Sequence, residues 1–303
     1  MLHFTILVAG IYTLLQFVPN AYFEVTNQWN ASATAFFLRL LGLTPQVNGS
    51  LISSGGFTAR VVGECSAVFI SVLPLSFFLS YPTSPKYRFL GVFAGLPVLF
   101  LFNIIRIVFV FMAGMKTPGL FKLIHLYIGQ VVMILLVIWI CMSWLELISG
   151  KSSLKSAFQF CFKILCISIL PFLIWVWLAE PYNRALLFIA KIILSLFDLR
   201  VVLPEALDIY PHTFISFNIV IILSLILVQR YVRKKEQMVK VLLGFTLLVL
   251  LHMLFQILPL LFYQYHISQT VWMINALLLI HQFVLPFVLW LIFIPFPKQK
   301  RAV

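Results

Sequence analysis

Charged residues are scarce in this sequence. Only 10% of its 303 residues are Asp, Glu, Lys or Arg, and just eight are acidic, whereas 63% are hydrophobic. A soluble domain is typically about 25% charged and about 45–50% apolar, so the composition excludes a soluble globular protein. It also excludes a disordered chain, which would contain few apolar residues. The mean hydropathy of +1.09 indicates an integral membrane protein instead.

Two common cofactor motifs are missing as well. The sequence contains no glycine-rich phosphate loop and no His-Glu-x-x-His zinc motif. His252 and His281 lie in neighbouring apolar runs, but two histidines without a nearby carboxylate make a poor metal site. We therefore expect both to be hydrogen-bonded packing residues, and we expect no metal and no cofactor.

The chain nevertheless carries a formal charge of +13. In a soluble protein this would suggest a nucleic-acid partner, but Lys and Arg also collect in the cytoplasmic loops of membrane proteins. With the N-terminus inside, the predicted cytoplasmic segments contain thirteen basic residues and the outer segments seven. This asymmetry predicts a multi-pass protein of the cytoplasmic (inner) membrane, and no nucleic-acid partner is expected.

Long apolar runs define the predicted fold class. Runs of about 15–25 residues with few charges are typical of transmembrane helices rather than of a membrane β-barrel. Eight runs are predicted to be spans: 2–18, 65–80, 89–113, 125–148, 161–178, 214–228, 241–261 and 271–294. The prediction is an all-α polytopic membrane protein with about eight transmembrane helices.

Two outer segments are too long to be simple turns. A helix capped by Asn30 or Ser32 and ending at Leu43, with Phe36, Phe37, Leu40 and Leu41 on its apolar face, is predicted to lie on the membrane surface. A second amphipathic helix is predicted over residues 184–199. Between residues 47 and 62, the sequence Ser-Ser-Gly-Gly separates two strand-like pieces and predicts a small hairpin.

The chain is predicted to have two parts. Residues 1–149 contain four of the predicted spans and all of the side chains discussed next, and they form the predicted catalytic core. Residues 150–303 add four further spans. We expect this second part to shape the substrate entrance or to select the acceptor.

Arg106 lies inside an apolar run. A charged side chain at the centre of a membrane helix costs about 2.5–3.5 kcal/mol on translocon scales, so Arg106 should face protein or water rather than lipid. Asn103 lies three positions earlier on the same helix face and can share a polar pocket with it. The alternative is an arginine that only extends toward the interface at the helix end.

Cys65 is the one cysteine predicted at the outer face of the membrane. Cys141, Cys161 and Cys166 map to the cytoplasmic half, where thiols stay reduced. An unpaired thiol in an oxidising compartment indicates a reactive group, and at the start of a helix the macrodipole favours the thiolate. The alternative is an inert buried cysteine.

His125 begins the fourth predicted span at the same outer face. An imidazole there can take the proton of a thiol and later protonate a leaving amine, or it can simply make an ordinary interfacial hydrogen bond. Together, Cys65, His125 and Arg106 can supply a nucleophile, its base and a cation for the oxyanion of a tetrahedral intermediate. This set predicts acyl transfer, with Asn103 in a supporting role.

These residues carry a resemblance to a known family. The sequences Gly-Glu-Cys65-Ser-Ala, Asn103-Ile-Ile-Arg106-Ile and His125-x-x-x-Gly129 occur in order over roughly the first half of the chain. This pattern resembles the exosortase and archaeosortase family of polytopic membrane cysteine transpeptidases. The resemblance implies that Cys65 is the nucleophile and that Arg106 and His125 complete the site. The family often has glycine two residues after the cysteine, where this chain has Ala67.

The resemblance also implies the substrates. They are secreted proteins whose C-terminal sorting tail contains a short recognition motif, a transmembrane helix and a basic cluster, cut near the motif on the extracytoplasmic side. The acyl group would then pass to water or to an amine-bearing acceptor, with a membrane lipid or glycan as a possible source.

Two other classes of function remain open from the sequence. In a transporter or flippase for an envelope lipid or glycan, Arg106 would bind an anionic headgroup and Cys65 would be incidental. A noncatalytic scaffold would tolerate substitution of both residues.

Overall fold

The computed structural model describes residues 2–150, 154–197, 216–228, 234–265, 284–285 and 288. By its internal contacts the chain divides into two compact units, Met1–Phe162 and Lys163–Val303.

The first unit combines helices with one small sheet. Its helices are α1 (Leu2–Gln16), α2 (Asn20–Leu40), α3 (Val68–Ser80), α4 (Pro85–Leu90), α5 (Leu96–Lys116), α6 (Phe121–Tyr127) and α7 (Met133–Ile148). Its strands are β1 (Gln46–Asn48), β2 (Leu51–Ser54) and β3 (Phe57–Arg60). The π-helical segments Gly91–Gly95 and Ile128–Val132 connect α4 to α5 and α6 to α7.

The remaining helices are α8 (Leu154–Ser195), α9 (Asn218–Val228) and α10 (Lys234–Tyr265). The predicted span 161–178 and the predicted outer helix 184–199 are not separate, because α8 runs through both up to Ser195. The prediction of a separate outer helix over residues 184–199 is therefore wrong. The helix continues past Pro181 because Leu186, Ala190 and Leu194 extend its buried stripe at four-residue intervals.

The described helices are consistent with a helical membrane protein. Two of them, Pro85–Lys116 and Ala157–Ser195, are long and apolar enough to cross a membrane. Four shorter apolar helices also occur: His3–Leu15, Val68–Ser80, Met133–Ile148 and Leu242–Leu258. The predicted run 271–294 lies almost entirely outside the described residues, so the count of eight spans stays a prediction.

Helix α2 differs from the predicted surface helix. It begins at Asn20, ten residues before the predicted start, and packs against α5. Its buried face consists of small and polar residues together with Leu38, whereas Phe36 and Leu40 are 55% and 67% exposed. Of the predicted apolar face only Phe37 packs against the buried cluster that contains Cys65. Most of the packing face consists of small side chains, which allow two helices to approach closely.

The predicted hairpin is present and is part of a three-stranded antiparallel sheet. Ser54 pairs with Phe57 across a turn formed by Gly55 and Gly56, whose φ values of +56° and +78° favour glycine. Ile52 of β2 is fully buried and belongs to one apolar cluster. Its other buried members are Ala31, Leu38, Val61, Cys65, Val108 and Phe111. The sheet thereby reaches the segment that carries Cys65.

Candidate active site

Cys65 lies in a short 3₁₀ turn, Gly63–Cys65, and its side chain is buried. The turn is held by hydrogen bonds from the Cys65 amide to the Val62 carbonyl (2.8 Å) and from the Ser66 hydroxyl to the Gly63 carbonyl (2.7 Å). Helix α3 begins only at Val68. Cys65 therefore precedes the helix instead of opening it, which corrects the predicted position and removes the macrodipole argument based on it.

Ala67 connects this turn to α3 in an unusual conformation. Its φ of +61° is in the left-handed region, and among the described residues it is the only non-glycine residue with a positive φ. The left-handed conformation costs an L-residue with a side chain roughly 1–2 kcal/mol. The chain thus has alanine at a position where glycine would be unstrained, which is also where the resembled family often has glycine.

Two side chains of α5 bind the main-chain carbonyl of Cys65. Asn103 Nδ2 donates to it at 2.7 Å and Arg106 Nη2 donates to it at 3.3 Å. Both side chains are buried, because their positions three residues apart place them on one face of α5. The predicted shared polar environment of Asn103 and Arg106 is therefore centred on the backbone of Cys65.

Arg106 also connects α5 to the π-helical segment that follows α6. Its Nη1 donates to the carbonyl of Gly129 at 3.2 Å, and a Cβ added at Gly129 would lie 3.3 Å from Nη1. The lack of a side chain at Gly129 thus gives the guanidinium room beside the backbone. This contact explains why the glycine of the His125-x-x-x-Gly129 pattern matters to the site.

His125 lies on α6 and is half-buried. Its ring stacks on Phe121, with ring centroids 5.6 Å apart. The imidazole is near enough to Arg106 to experience the charge of the guanidinium, which in turn interacts with the side chain of Cys65. Arg106 is therefore the group in electrostatic contact with both other members of the predicted set.

Cys65, Arg106 and His125 line one pocket. Its empty volume is about 420 Å³, including the open mouth. The other lining residues are Ile52, Ala59, Arg60, Val61, Ile107, Val110, Phe111 and Phe121. Apart from Arg60, these other walls are apolar.

Two contributors to this site were not predicted from the sequence. One is the sheet, since β2 and β3 form a wall of the pocket and bring Arg60 to it. The other is Asn30 of α2, whose Oδ1 accepts a hydrogen bond from Asn103 Nδ2 at 3.3 Å. Asn30 was considered only near a helix start; the available signal was the spacing of Asn27, Asn30 and Thr34 on one helix face.

A thiol, a guanidinium and an imidazole thus line one pocket of a helical membrane protein. Residues 1–142 match the family model described as transmembrane exosortase (Exosortase_EpsH). Residues 1–142, just under half of the chain, are thus similar to the transmembrane exosortase family. No curated protein and no solved structure matches the chain.

Proposed function

We propose that the protein is a membrane-embedded cysteine transpeptidase. It cleaves the C-terminal sorting tails of secreted proteins at the outer face of the cytoplasmic membrane and forms an acyl-enzyme on Cys65. The observation that carries this proposal is the single pocket shared by Cys65, Arg106 and His125. The family of residues 1–142 supports it independently.

Each of the three side chains has a chemical role in the proposed reaction. The Cys65 sulfur attacks the carbonyl carbon of the scissile peptide, and His125 takes the thiol proton and delivers it to the leaving amine. Arg106 stabilises the oxyanion of the tetrahedral intermediate. Since its Nη1 and Nη2 already bind main-chain carbonyls, the guanidinium is held in place before substrate binds.

The length of one helix supports the proposed location. The continuous helical segment Pro85–Lys116 begins beside Lys86 and Arg88, which belong to a predicted cytoplasmic loop. Arg106 lies 21 residues after Pro85, or about 32 Å at 1.5 Å per residue. The hydrocarbon core of a bilayer is about 30 Å thick, so a helix starting near the cytoplasmic surface brings Arg106 into the outer half of the membrane, within the predicted span 89–113.

The decisive test replaces the Cys65 thiol and measures release of the sorting tail. Cells would co-express the enzyme with a secreted protein that ends in a recognition motif, a transmembrane helix and a basic cluster, and tail release would be measured by the change in mass. Cys65→Ser should abolish release while the enzyme still accumulates in the membrane. The matched control is Cys166→Ser, because Cys166 is an exposed cysteine outside the pocket and its loss should leave release unchanged.

The same experiment separates the proposal from transport. A transporter or flippase predicts that Cys65→Ser is nearly silent and that Arg106→Ala is disabling. Release of the tail by Cys65→Ser at the wild-type rate would contradict the transpeptidase function.

A further inference from the structure

Strand β3 lies at one edge of the small sheet. The strand order is β1-β2-β3, so β3 pairs with β2 on one side and has no neighbouring strand on the other side among the described residues. An edge strand presents N–H and C=O groups that can pair with another extended chain. The unpaired side of β3, called here the free edge, is therefore a surface on which a peptide can bind.

The pairing register determines which groups lie on the free edge. In an antiparallel pair, hydrogen-bonded and non-hydrogen-bonded residue pairs alternate along the strands. The Val61 amide donates to the Ser50 carbonyl at 2.8 Å, so Val61 and, two residues earlier, Ala59 direct their main-chain groups toward β2. Thr58 and Arg60 occupy the alternate positions. Their N–H and C=O groups therefore point away from β2.

These main-chain groups are available for pairing. Within the described chain, no main-chain hydrogen bond uses the N–H or the C=O of Thr58 or Arg60, and both residues are exposed. The two residues lie two positions apart, or about 7 Å at 3.4 Å per residue. The free edge thus offers two donors and two acceptors at the spacing of a paired strand.

The free edge borders the pocket that Cys65 lines. Ala59, Arg60 and Val61 are also part of the pocket wall. Successive side chains of a strand point to opposite faces, so a pocket bordered by both Ala59 and Arg60 extends to the edge of β3. A single bound peptide can therefore contact the free edge and the Cys65 segment together.

We propose that the recognition segment of the sorting tail binds in an extended conformation along the free edge and adds a fourth strand to the sheet. The inference rests on the proposed transpeptidase function and identifies how its substrate is held. Main-chain pairing supplies affinity, and the apolar walls of the pocket receive alternate side chains of the segment. An extended peptide also leaves carbonyls open to attack by the Cys65 sulfur, whereas a helix engages them in its own hydrogen bonds.

The alternative occupant of the free edge is the same edge of a second copy of the chain. Each copy offers only Thr58 and Arg60 for pairing, and a short edge strand with a charged residue is a common means of preventing edge-to-edge association. The sorting tail is held near the pocket by its own transmembrane helix as well, so its effective concentration is high and a few hydrogen bonds suffice. The free edge therefore fits the substrate better than a second copy.

The first experiment removes one N–H group at a time from the free edge. Proline lacks an N–H and is tolerated on edge strands where that group faces outward, so Thr58→Pro and Arg60→Pro keep the pairing with β2. The purified full-length protein in detergent micelles cleaves the secreted protein of the release assay, and kcat and KM are measured. Each proline variant should have a kcat/KM about tenfold below that of the alanine variant at the same position. The loss should appear mainly as a raised KM, because the pairing holds substrate and transition state alike.

The matched control lies on the opposite edge of the sheet. Asn48 and Leu51 pair across a two-residue turn, so the alternate residue Val47 directs its N–H away from β2 on the outer side of β1. Val47→Pro and Val47→Ala should have the same KM. Equal KM values for the proline and alanine variants at both Thr58 and Arg60 would overturn binding at the free edge.

A second experiment does not require that proline be tolerated. The Cys65→Ser protein with Thr58→Cys is mixed with substrates that carry one cysteine at successive positions around the cleavage site, and copper phenanthroline is added as the oxidant. Disulfide cross-links should form at every second substrate position, because alternate side chains of a paired strand lie on one face. The Cys65→Ser protein without Thr58→Cys gives the background.

The other patterns of cross-linking contradict the proposal. Cross-links at every third or fourth position would indicate a helical segment, and an absence of cross-links above background would place the segment elsewhere. A disulfide-linked enzyme dimer in place of the substrate adduct would identify a second copy as the occupant. Each of these results overturns binding at the free edge, while tail release by the wild-type protein leaves the transpeptidase function standing. Failure of the wild-type protein to release the tail would overturn that function, and the assignment of the free edge with it.

Discussion

The main-chain carbonyl of Cys65 is held by two side chains that lie one helical turn apart on α5. Asn103 and Arg106 both donate to it, and Arg106 also donates to Gly129. A guanidinium can serve two carbonyls at once because its N–H groups form a rigid planar fork, whereas a lysine ammonium is a compact point donor. The charge at this position is therefore less important than the shape of the group that carries it.

We predict that Arg106→Lys lowers the rate of tail release about a hundredfold, because the lysine retains the charge but cannot reproduce the held guanidinium that faces the oxyanion. The rate is measured with the enzyme level in the membrane held equal. Arg39→Lys is the control, since Arg39 is exposed on α2 and should tolerate the change. Wild-type release by Arg106→Lys would show that charge alone suffices.

Ala67 provides a second prediction at this scale. Ala67→Gly removes the strain of a positive φ but raises the entropy of the unfolded chain, so its free energy of unfolding should lie within about 1 kcal/mol of the wild type. Ala67→Val should be destabilised by about 2 kcal/mol or more, because a β-branched side chain is poorly tolerated in the left-handed region.

These stabilities are compared by thermal unfolding of the purified protein in detergent. Ala185→Val is the matched control, since Ala185 is exposed on α8. A valine at position 67 that unfolds at the wild-type temperature would contradict the positive φ.

At the scale of elements, the sheet packs closely against α5 at Gly114. A Cβ at Gly114 would lie 2.5 Å from Phe57 and 2.7 Å from Phe121. The Phe57 ring packs edge-on against Phe111 and Phe121, with centroid distances of 5.2 Å. Since β3 also supplies a wall of the pocket, the packing of Gly114 fixes the position of that wall.

Gly114→Ala should therefore destabilise the protein by about 1–3 kcal/mol through overpacking and should slow tail release by displacing β3. Thermal unfolding and tail release are measured together. Gly119→Ala is the matched control, because no atom lies within 4 Å of a Cβ at Gly119. Equal behaviour of the two alanine variants would contradict the close packing of β3 on α5.

The elements show which parts of the fold could be predicted from sequence. The turn at Gly55 and Gly56 was predicted because positive φ angles have a strong local signature. The continuity of α8 was not predicted, because Pro181 and the polar residues near it are typical of a helix end. The two π-helical segments have no comparable local pattern, since each adds one residue to a helical turn whose neighbours are ordinary helix.

For the site, the sequence indicated Cys65, Arg106 and His125, and the structure brings them to one pocket. Membrane burial makes an arginine or a lone outer cysteine conspicuous, which is why these side chains could be named. Asn30 could not be identified from the sequence, because its partner Asn103 is 73 residues away and their contact depends on how α2 packs on α5. The hydrogen bonds to the Cys65 carbonyl involve main-chain atoms and leave no mark in the sequence.

At the scale of the whole molecule, the proposed site lies within the first compact unit. The family match also ends inside this unit, at residue 142. The second unit has a polar interior of its own, in which the Tyr182 hydroxyl and His252 Nδ1 are 2.7 Å apart and Asn183 donates to Ser216. The predicted role of the second part at the substrate entrance or in acceptor selection remains a proposal.

A chain ending at Phe162 tests whether the first unit is sufficient for the chemistry. We predict that this fragment accumulates in the membrane and releases the tail at a measurable rate, because the contacts of the pocket lie within it. The same fragment with Cys65→Ser serves as its control and should be inactive. A fragment that accumulates without releasing the tail would show that the second unit is required for cleavage.

The hydrogen bonds that join Cys65, Arg106 and Gly129 can form only after the later residues have been synthesised. Arg106 is added to the chain 41 residues after Cys65, and Gly129 follows 23 residues later. At roughly 5–20 residues per second, the ribosome takes about 3–13 s to supply these partners. During that interval the newly made sulfur lacks the surroundings it has in the finished protein. We therefore expect the yield of active enzyme to fall when a thiol oxidant is present during synthesis, even where the mature protein is equally stable.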